Sequence, residues 1–233
     1  MKVALVTGAS KGIGAQIAQS IGLDATRYGE WAVHGCSRGE AEWWDDTYTH
    51  HKCDVTDHIA VRGMLGSIRK MHGRLDVLVC NAGTASMNHV LTMPIGTARR
   101  IMETNLIGTF LCCREAVKLM RKTGGRIVTV SSVAVPLALE GEAVYAASKS
   151  AIETFTRVFA KEVAPWGITV NCVGPAPIET DLLRGVPDDK LEAIGAQLAG
   201  RSSTMADVTN VIDFFISPSS GAVTGQIVYL GGV

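Results

Sequence analysis

The stretch TGASKGIG, Thr7–Gly14, decides how this chain is read. It sits between an apolar run, VALV, and a helical pattern, AQIAQSIG. Glycine costs backbone entropy on folding, so three in one short turn need a reason. A turn of this kind lets something large and anionic approach the backbone. The helix that follows offers free N–H groups and the positive end of its dipole. In the setting strand, glycine turn, helix, the spacing points to a dinucleotide phosphate site. Gly8 permits the tight turn, Gly12 lets the backbone approach a pyrophosphate, and Gly14 lets the helix pack closely on the strand.

The rest of the chain repeats that alternation. Strands are expected at KVALV (2–6), WAVHGC (31–36), HHKCDV (50–55), DVLVC (76–80), RIVTV (126–130), ITVNCV (168–173) and QIVYL (226–230). Helical spacing runs over 12–21, 57–71, 97–120, 143–163 and 205–216. Strands apolar on both faces belong in a sheet covered on both sides. Their alternation with helices predicts an α/β, Rossmann-type, doubly wound parallel sheet of about seven strands. There is no internal repeat, low-complexity segment or linker, so residues 1–233 read as one domain.

Bulk properties narrow the function. The chain has 233 residues, 22 basic and 22 acidic, for a formal net charge of zero. That balance gives no electrostatic footprint for nucleic acid or an anionic membrane surface. No apolar run approaches the roughly 18 residues of a membrane span, and the N-terminal apolar run is too short for a signal peptide. The six cysteines lie mostly in apolar runs without CxxC spacing, as expected of buried free thiols in a reducing, cytoplasmic setting. No metal site is expected: His50 and His51 are adjacent but lack a spaced partner, and read as surface histidines.

Further motifs follow in order: CNAG (80–83), ETNLIGTF (103–110), VTVSSVAV (128–135), YAASK (145–149), NCVGPAPIET (171–180) and VTGQIVYLGG (223–232). With the opening glycine turn, this series resembles the short-chain dehydrogenase/reductase family along nearly the whole chain. Within the family it is most similar to 3-oxoacyl-acyl-carrier-protein reductases. The resemblance implies reduction of a ketone by a nicotinamide cofactor. It assigns Asn105, Ser132, Tyr145 and Lys149 to catalysis. Ser132 rather than Ser131 is the choice, because the family's serine stands thirteen residues before its tyrosine. Strand neighbours also point to opposite faces, so only one of the two can serve.

Tyr145 and Lys149 are four apart on a helix and share a face. A tyrosine of ordinary pKa, about 10, is a sluggish base near neutrality; a nearby ammonium is expected to lower it. By resemblance Lys149 also holds the nicotinamide ribose, and Asn105 holds a water linking Lys149 to solvent.

The cofactor expected is NADP(H). NAD-using enzymes commonly end the second strand with an acid. Here the strand ends Cys36-Ser37-Arg38, and a guanidinium suits a 2′-phosphate. Lys11 is a second cation aimed at that region, and Glu40 a dissenting acid beyond the strand. The resemblance adds Ser10 and Ile13 beside the glycines, and places Asp54 and Val55 near the adenine. It puts Asn81, Ala82 and Gly83 along the adenosine side, with Pro175, Ile178 and Thr180 near the nicotinamide. It implies a homotetramer built on the helices 97–120 and 143–163, with Val117, Leu119, Phe155 and Phe159 as contact candidates.

Two departures stand out. The segment GEAEWWDDTYTHH has no helical face, so a loop is expected where the family has a helix. Within it Trp43 and Trp44 could cap the sheet, touch a partner subunit or touch the adenine. The lid segment after Thr180 is short, which suggests an open cleft and a bulky or carrier-bound substrate.

Overall fold

The computed structural model describes residues 1–23, 29–43, 45–178 and 188–233. Seven parallel strands form one sheet: β1 (Lys2–Thr7), β2 (Trp31–Ser37), β3 (Tyr48–Lys52), β4 (Val77–Cys80), β5 (Gly125–Val130), β6 (Ile168–Gly174) and β7 (Ile227–Tyr229). Their order is β3-β2-β1-β4-β5-β6-β7. The order reverses between β1 and β4, and a crevice opens beyond the carboxyl ends of strands at such a point. The expected third strand is shifted: it starts at Tyr48 and ends at Lys52, so Cys53–Val55 lie past it.

Helices cover both faces. Helix α1 (Gly12–Leu23) begins inside the glycine turn, and α2 (His58–His72) follows β3. Asp57 caps α2 by accepting from the backbone of Ile59 and Ala60, and Gly73 closes it in the left-handed region. Then come α3 (Ile95–Met102), α4 (Gly108–Met120), the single turn α5 (Ala134–Leu137), α6 (Ala143–Val163), α7 (Asp188–Gly195) and α8 (Met205–Ile216).

Strand alternation divides the core into two layers. Val3, Leu5, Leu78 and Cys80 face α2, α4 and α6, packing on Leu65, Ile68, Cys112 and Ala160. Ala4, Val6, Val77 and Val79 face α1 and α8, packing on Ile17, Ile21, Ile212 and Phe215. All six cysteines are buried free thiols, and Cys80 and Cys113 meet at 3.7 Å between sulfurs.

The single helix expected over 97–120 is interrupted. Between α3 and α4, Glu103–Ile107 form a π-helical turn, with the Gly108 N–H bonded to the Glu103 carbonyl. One residue is accommodated in excess of the α repeat, and such bulges cluster at functional sites. Asn105 lies in this turn. The stretch 39–47 contains no helix among its described residues, as the sequence suggested.

Candidate active site

The glycine turn is built around contacts a side chain would block. Gly8 has φ 69°, and a Cβ there would sit 2.9 Å from Ala82 Cα. A Cβ on Gly14 would lie 2.2 Å from the Gly8 carbonyl oxygen. Thr7, which the sequence reading left without a role, ties this turn to the one after β4: its Oγ1 accepts from the backbone N–H of Asn81 and of Ala82 at 3.1 and 3.0 Å. Asn81 Nδ2 donates back to the Thr7 carbonyl at 3.0 Å. The glycines therefore let the turn and helix α1 close tightly on the loop after β4, and the N-terminus of α1 is the kind of end that receives a pyrophosphate.

From there a cleft of about 390 Å³ runs toward α6. Ile13, Asn81, Gly83, Ser132, Tyr145 and Lys149 all line it, as do Pro175 and Ile178. Thr180 lies outside the described residues. Ser132 Oγ accepts from the Ala134 N–H at 3.1 Å and stands close enough to Tyr145 to pull its pKa down. Ser131 is turned away: its hydroxyl donates to the buried Glu153 carboxylate at 2.6 Å, which also accepts from the Tyr229 hydroxyl. Lys149 Nζ donates to the Val130 carbonyl at 2.8 Å and stands 5.8 Å from the centre of the Tyr145 ring.

The electrostatics differ from the sequence expectation. Tyr145 is not lowered by Lys149. Burial pushes its phenol up to about 12, the neighbouring Ser132 opposes the rise, and the charge of Glu142 adds to it. Burial also brings Lys149 down to about 8. Desolvation of both groups outweighs the attraction of ammonium for phenolate.

Asn105 sits behind Gly83, fully buried. Its Oδ1 accepts from the Thr84 N–H at 2.8 Å, and its Nδ2 donates to the Thr84 carbonyl at 3.0 Å and to Ser148 Oγ at 2.9 Å. Ser148 in turn donates to the Tyr145 carbonyl at 2.7 Å. The Asn105 side chain is thus committed to protein groups.

These features meet known proteins over almost their full length. The chain matches the family described as enoyl-(acyl carrier protein) reductase over residues 8–232. It is 34% identical over 234 residues to the 3-oxoacyl-[acyl-carrier-protein] reductase FabG of Escherichia coli (strain K12), covering 99% of this chain and 96% of that protein. The chain belongs to the short-chain dehydrogenase/reductase family. It is also 32% identical over 238 residues to FabG of Rickettsia bellii (strain RML369-C), covering 99% of this chain and 95% of that one. The ligand-free structure of Thermoplasma acidophilum aldohexose dehydrogenase, AldT, superposes with a TM-score of 0.88 at 31% identity, over 99% of this chain and 93% of that chain.

At the other end of the cradle, this short-chain oxidoreductase places Ser37 and the exposed Arg38 at the carboxyl end of β2. Ser37 Oγ donates to the Gly39 carbonyl at 2.8 Å and shares a hydrogen bond with His50 at 3.0 Å. Lys11 pairs with Glu42 at 3.6 Å, and the Ser10 carbonyl accepts from the Glu42 N–H at 3.0 Å. The Trp43 ring N–H donates to the Ala9 carbonyl at 2.9 Å, and the ring lies tilted against Tyr48 of β3 with centroids 4.0 Å apart. Trp44 lies outside the described residues.

Asp54 is occupied by Thr56, whose N–H and hydroxyl both donate to it. Val55 is buried and packs toward Gly108, where an added Cβ would lie 2.7 Å from Val55 Cγ2.

His50 and His51 are not the surface histidines the sequence suggested. His51 bonds the buried His34 at 2.9 Å, and the far nitrogen of His34 bonds His72 at 3.0 Å. His50 bonds the Tyr48 hydroxyl at 2.6 Å. Among the tetramer candidates, Val117 belongs to the core, and Leu119, Phe155 and Phe159 pack against it half-buried. Ile107, Phe110 and Val158 are the exposed apolar residues on those helices. No described helix is long and apolar enough to cross a membrane.

Proposed function

We propose that this chain is a cytoplasmic, NADPH-dependent reductase of ketones, with 3-oxoacyl thioesters on acyl-carrier protein or CoA as its substrates. The convergence of Ser132, Tyr145 and Lys149 in one cleft that reaches Ile13 of the glycine turn carries the reading. The names of the similar FabG proteins support the substrate class.

The residues present fit a nicotinamide dinucleotide. Gly8 and Gly14 hold the turn and the start of α1 in a close packing that a Cβ would break. The second strand ends without an acid, with Arg38 exposed to meet a 2′-phosphate. Lys11 would add a second cation, with Glu42 as its neighbour. Gly12, Asn81, Ala82 and Gly83 would line the adenosine and ribose path, with Ile13, Pro175 and Ile178 toward the nicotinamide. Bound there, the cofactor would supply a hydride.

The protein supplies placement and the proton. Ser132 would hold the substrate carbonyl oxygen by its hydroxyl. Tyr145, raised to about 12, stays a phenol at neutral pH, the form needed to protonate an alkoxide. Lys149 is a cation below about pH 8 and would favour the tyrosinate left behind. Since the Asn105 side chain is committed, a water relay from Lys149 would rest on its backbone carbonyl in the π turn.

We take residues 1–233 as one NADP-binding domain, assembled as a homotetramer through the face bearing Ile107, Phe110 and Val158. The superposition on an aldohexose dehydrogenase supports a second reading, oxidation or reduction of a hydroxylated substrate.

The test is oxidation of NADPH with acetoacetyl thioester, alongside NADH, Tyr145→Phe and Arg38→Ala. Turnover with NADPH that vanishes in the tyrosine variant is the expected result. Arg38→Ala should raise KM for NADPH at least about tenfold and leave NADH use unchanged, as expected for loss of a hydrogen-bonded charge pair. A preference for NADH in the parent protein overturns the NADP assignment.

A further inference from the structure

Glu142 is the one acid among the described residues lining the cleft. It follows Gly141, which turns the chain at φ 82°, and stands immediately before α6, three residues ahead of Tyr145. Both side chains line the cleft, near enough for the charge of Glu142 to act on the Tyr145 phenol. The backbone of Glu142 is satisfied: its N–H donates to the Leu139 carbonyl at 3.2 Å, and its carbonyl accepts from Ala146 at 2.7 Å. Its side chain makes no capping bond. The carboxylate has no hydrogen-bond or ion-pair partner among the described residues.

No donor among the described residues lining the cleft bonds this carboxylate. Met87, Leu139, Leu191 and Ile194 add apolar lining to the same cleft, with Lys190 Nζ against the Met87 sulfur at 3.8 Å. The Ser86 hydroxyl accepts from Asn88 Nδ2 at 2.6 Å and makes no bond to Glu142. Burial pushes the Glu142 carboxyl above its ordinary range, so the site holds this acid at a cost. A half-buried acceptor left open inside a ligand cleft is answered most simply by a donor on the ligand.

We propose that the Glu142 carboxylate accepts a hydrogen bond from an O–H or N–H that the substrate carries a few bonds from its carbonyl, and so selects donor-bearing ketones over plain ones. The assignment rests on the reading of Tyr145 and Ser132 as the carbonyl-binding pair, because that pair sets where the carbonyl sits. Two kinds of substrate would bring such a donor. One carries it as the amide N–H of a pantetheine-like thioester arm, the other as a hydroxyl on a hydroxyketone.

The test compares matched ketones. Acetoacetyl-N-acetylcysteamine carries the amide N–H, and S-ethyl acetothioacetate lacks it. 4-Hydroxy-2-butanone and 2-butanone form the hydroxyl pair. kcat/KM is measured for the parent protein, Glu142→Leu and Glu142→Gln. A hydrogen bond to a charged group predicts a preference of at least about tenfold for the donor-bearing member of one pair. The pair that shows it identifies the source.

Glu142→Leu should bring that ratio within about twofold of the ratio set by intrinsic reactivity, by speeding the plain ketone as well as slowing its partner. Glu142→Gln keeps a carbonyl acceptor and should retain part of the preference. Ratios unchanged in Glu142→Leu for both pairs overturn the Glu142 assignment and leave the reductase reading standing. Failure of the parent protein to reduce any of the four ketones overturns the reductase reading and this assignment with it.

Discussion

Asn105 and Thr84 hold each other in both directions: the amide oxygen accepts from the Thr84 N–H at 2.8 Å and the amide nitrogen donates to the Thr84 carbonyl at 3.0 Å. The pair fixes the loop after β4 against the π turn, and Ser148 links it to the Tyr145 backbone. Asn105→Asp keeps the size and the acceptor but loses the donor. It sets a carboxylate oxygen against the Thr84 carbonyl and leaves one donor for two acceptors. Each lost buried bond costs about 1–3 kcal/mol. Asn105→Asp should therefore lose about 2–4 kcal/mol in urea unfolding at neutral pH, and Asn105→Ala a similar amount. A loss near zero would mean the clasp is not closed in solution.

His34 gives the fold an acid-labile point. It is buried between His51 and His72 and uses both ring nitrogens. Burial lowers its pKa to about 4, with smaller contributions from the two neighbouring rings. Its unfolded value is about 6.5. The unfolded chain therefore binds more protons between the two values, so stability falls as pH drops through that window. The expected loss is on the order of 2 kcal/mol. Urea midpoints recorded from neutral pH down to about 4 should show the slope in the parent protein and a shallower one in His34→Gln. Equal slopes would clear His34 and direct attention to other groups.

How far the sequence carried depended on the range of the interaction. The strands were legible because runs such as VALV and DVLVC are buried on both faces of one sheet. Ser132 was separable from Ser131 only through the thirteen-residue spacing the resemblance supplies, since alternation says that one of the two serves and not which. The π turn was not legible: Glu103–Ile107 keeps a helical periodicity, and its altered bonding follows from the grip of Asn105 on a loop 21 residues away. The histidine row was hidden because it joins β2, β3 and the end of α2, with His34 and His72 38 residues apart. The Tyr145–Lys149 spacing was plain, but the sign of the tyrosine's shift was not. That sign depends on how completely the whole cleft removes water, which no local pattern encodes.

Lys149 should govern the alkaline limb of ketone reduction. Its pKa is brought down to about 8 by burial, whereas Tyr145 remains protonated until far higher pH. kcat/KM should be level below pH 8 and fall above it as the ammonium is lost. Stability runs the other way. The unfolded lysine binds its proton up to about pH 10.4, so this group makes the fold more stable as pH rises from about 8 to that value. Opposite slopes of activity and urea stability over the same window are the expected signature. An activity that keeps rising above pH 8 would assign the titration to another group.

The glycine turn separates cofactor binding from general stability. A Cβ on Gly14 would stand 2.2 Å from the Gly8 carbonyl oxygen and 2.5 Å from Asn81 Nδ2, and the first contact is with backbone. Helix α1 must then move away from β1, and the N–H groups at its start move with it. Gly14→Ala should weaken NADPH binding at least about a hundredfold in a fluorescence titration, the equivalent of about 3 kcal/mol, and lower the melting temperature by several degrees. Gly39, also near the adenosine end, has open space around its α-carbon and no positive φ. Gly39→Ala should change neither quantity measurably. Equal effects from the two substitutions would mean that the turn tolerates bulk, and the close approach drawn from TGASKGIG would be lost.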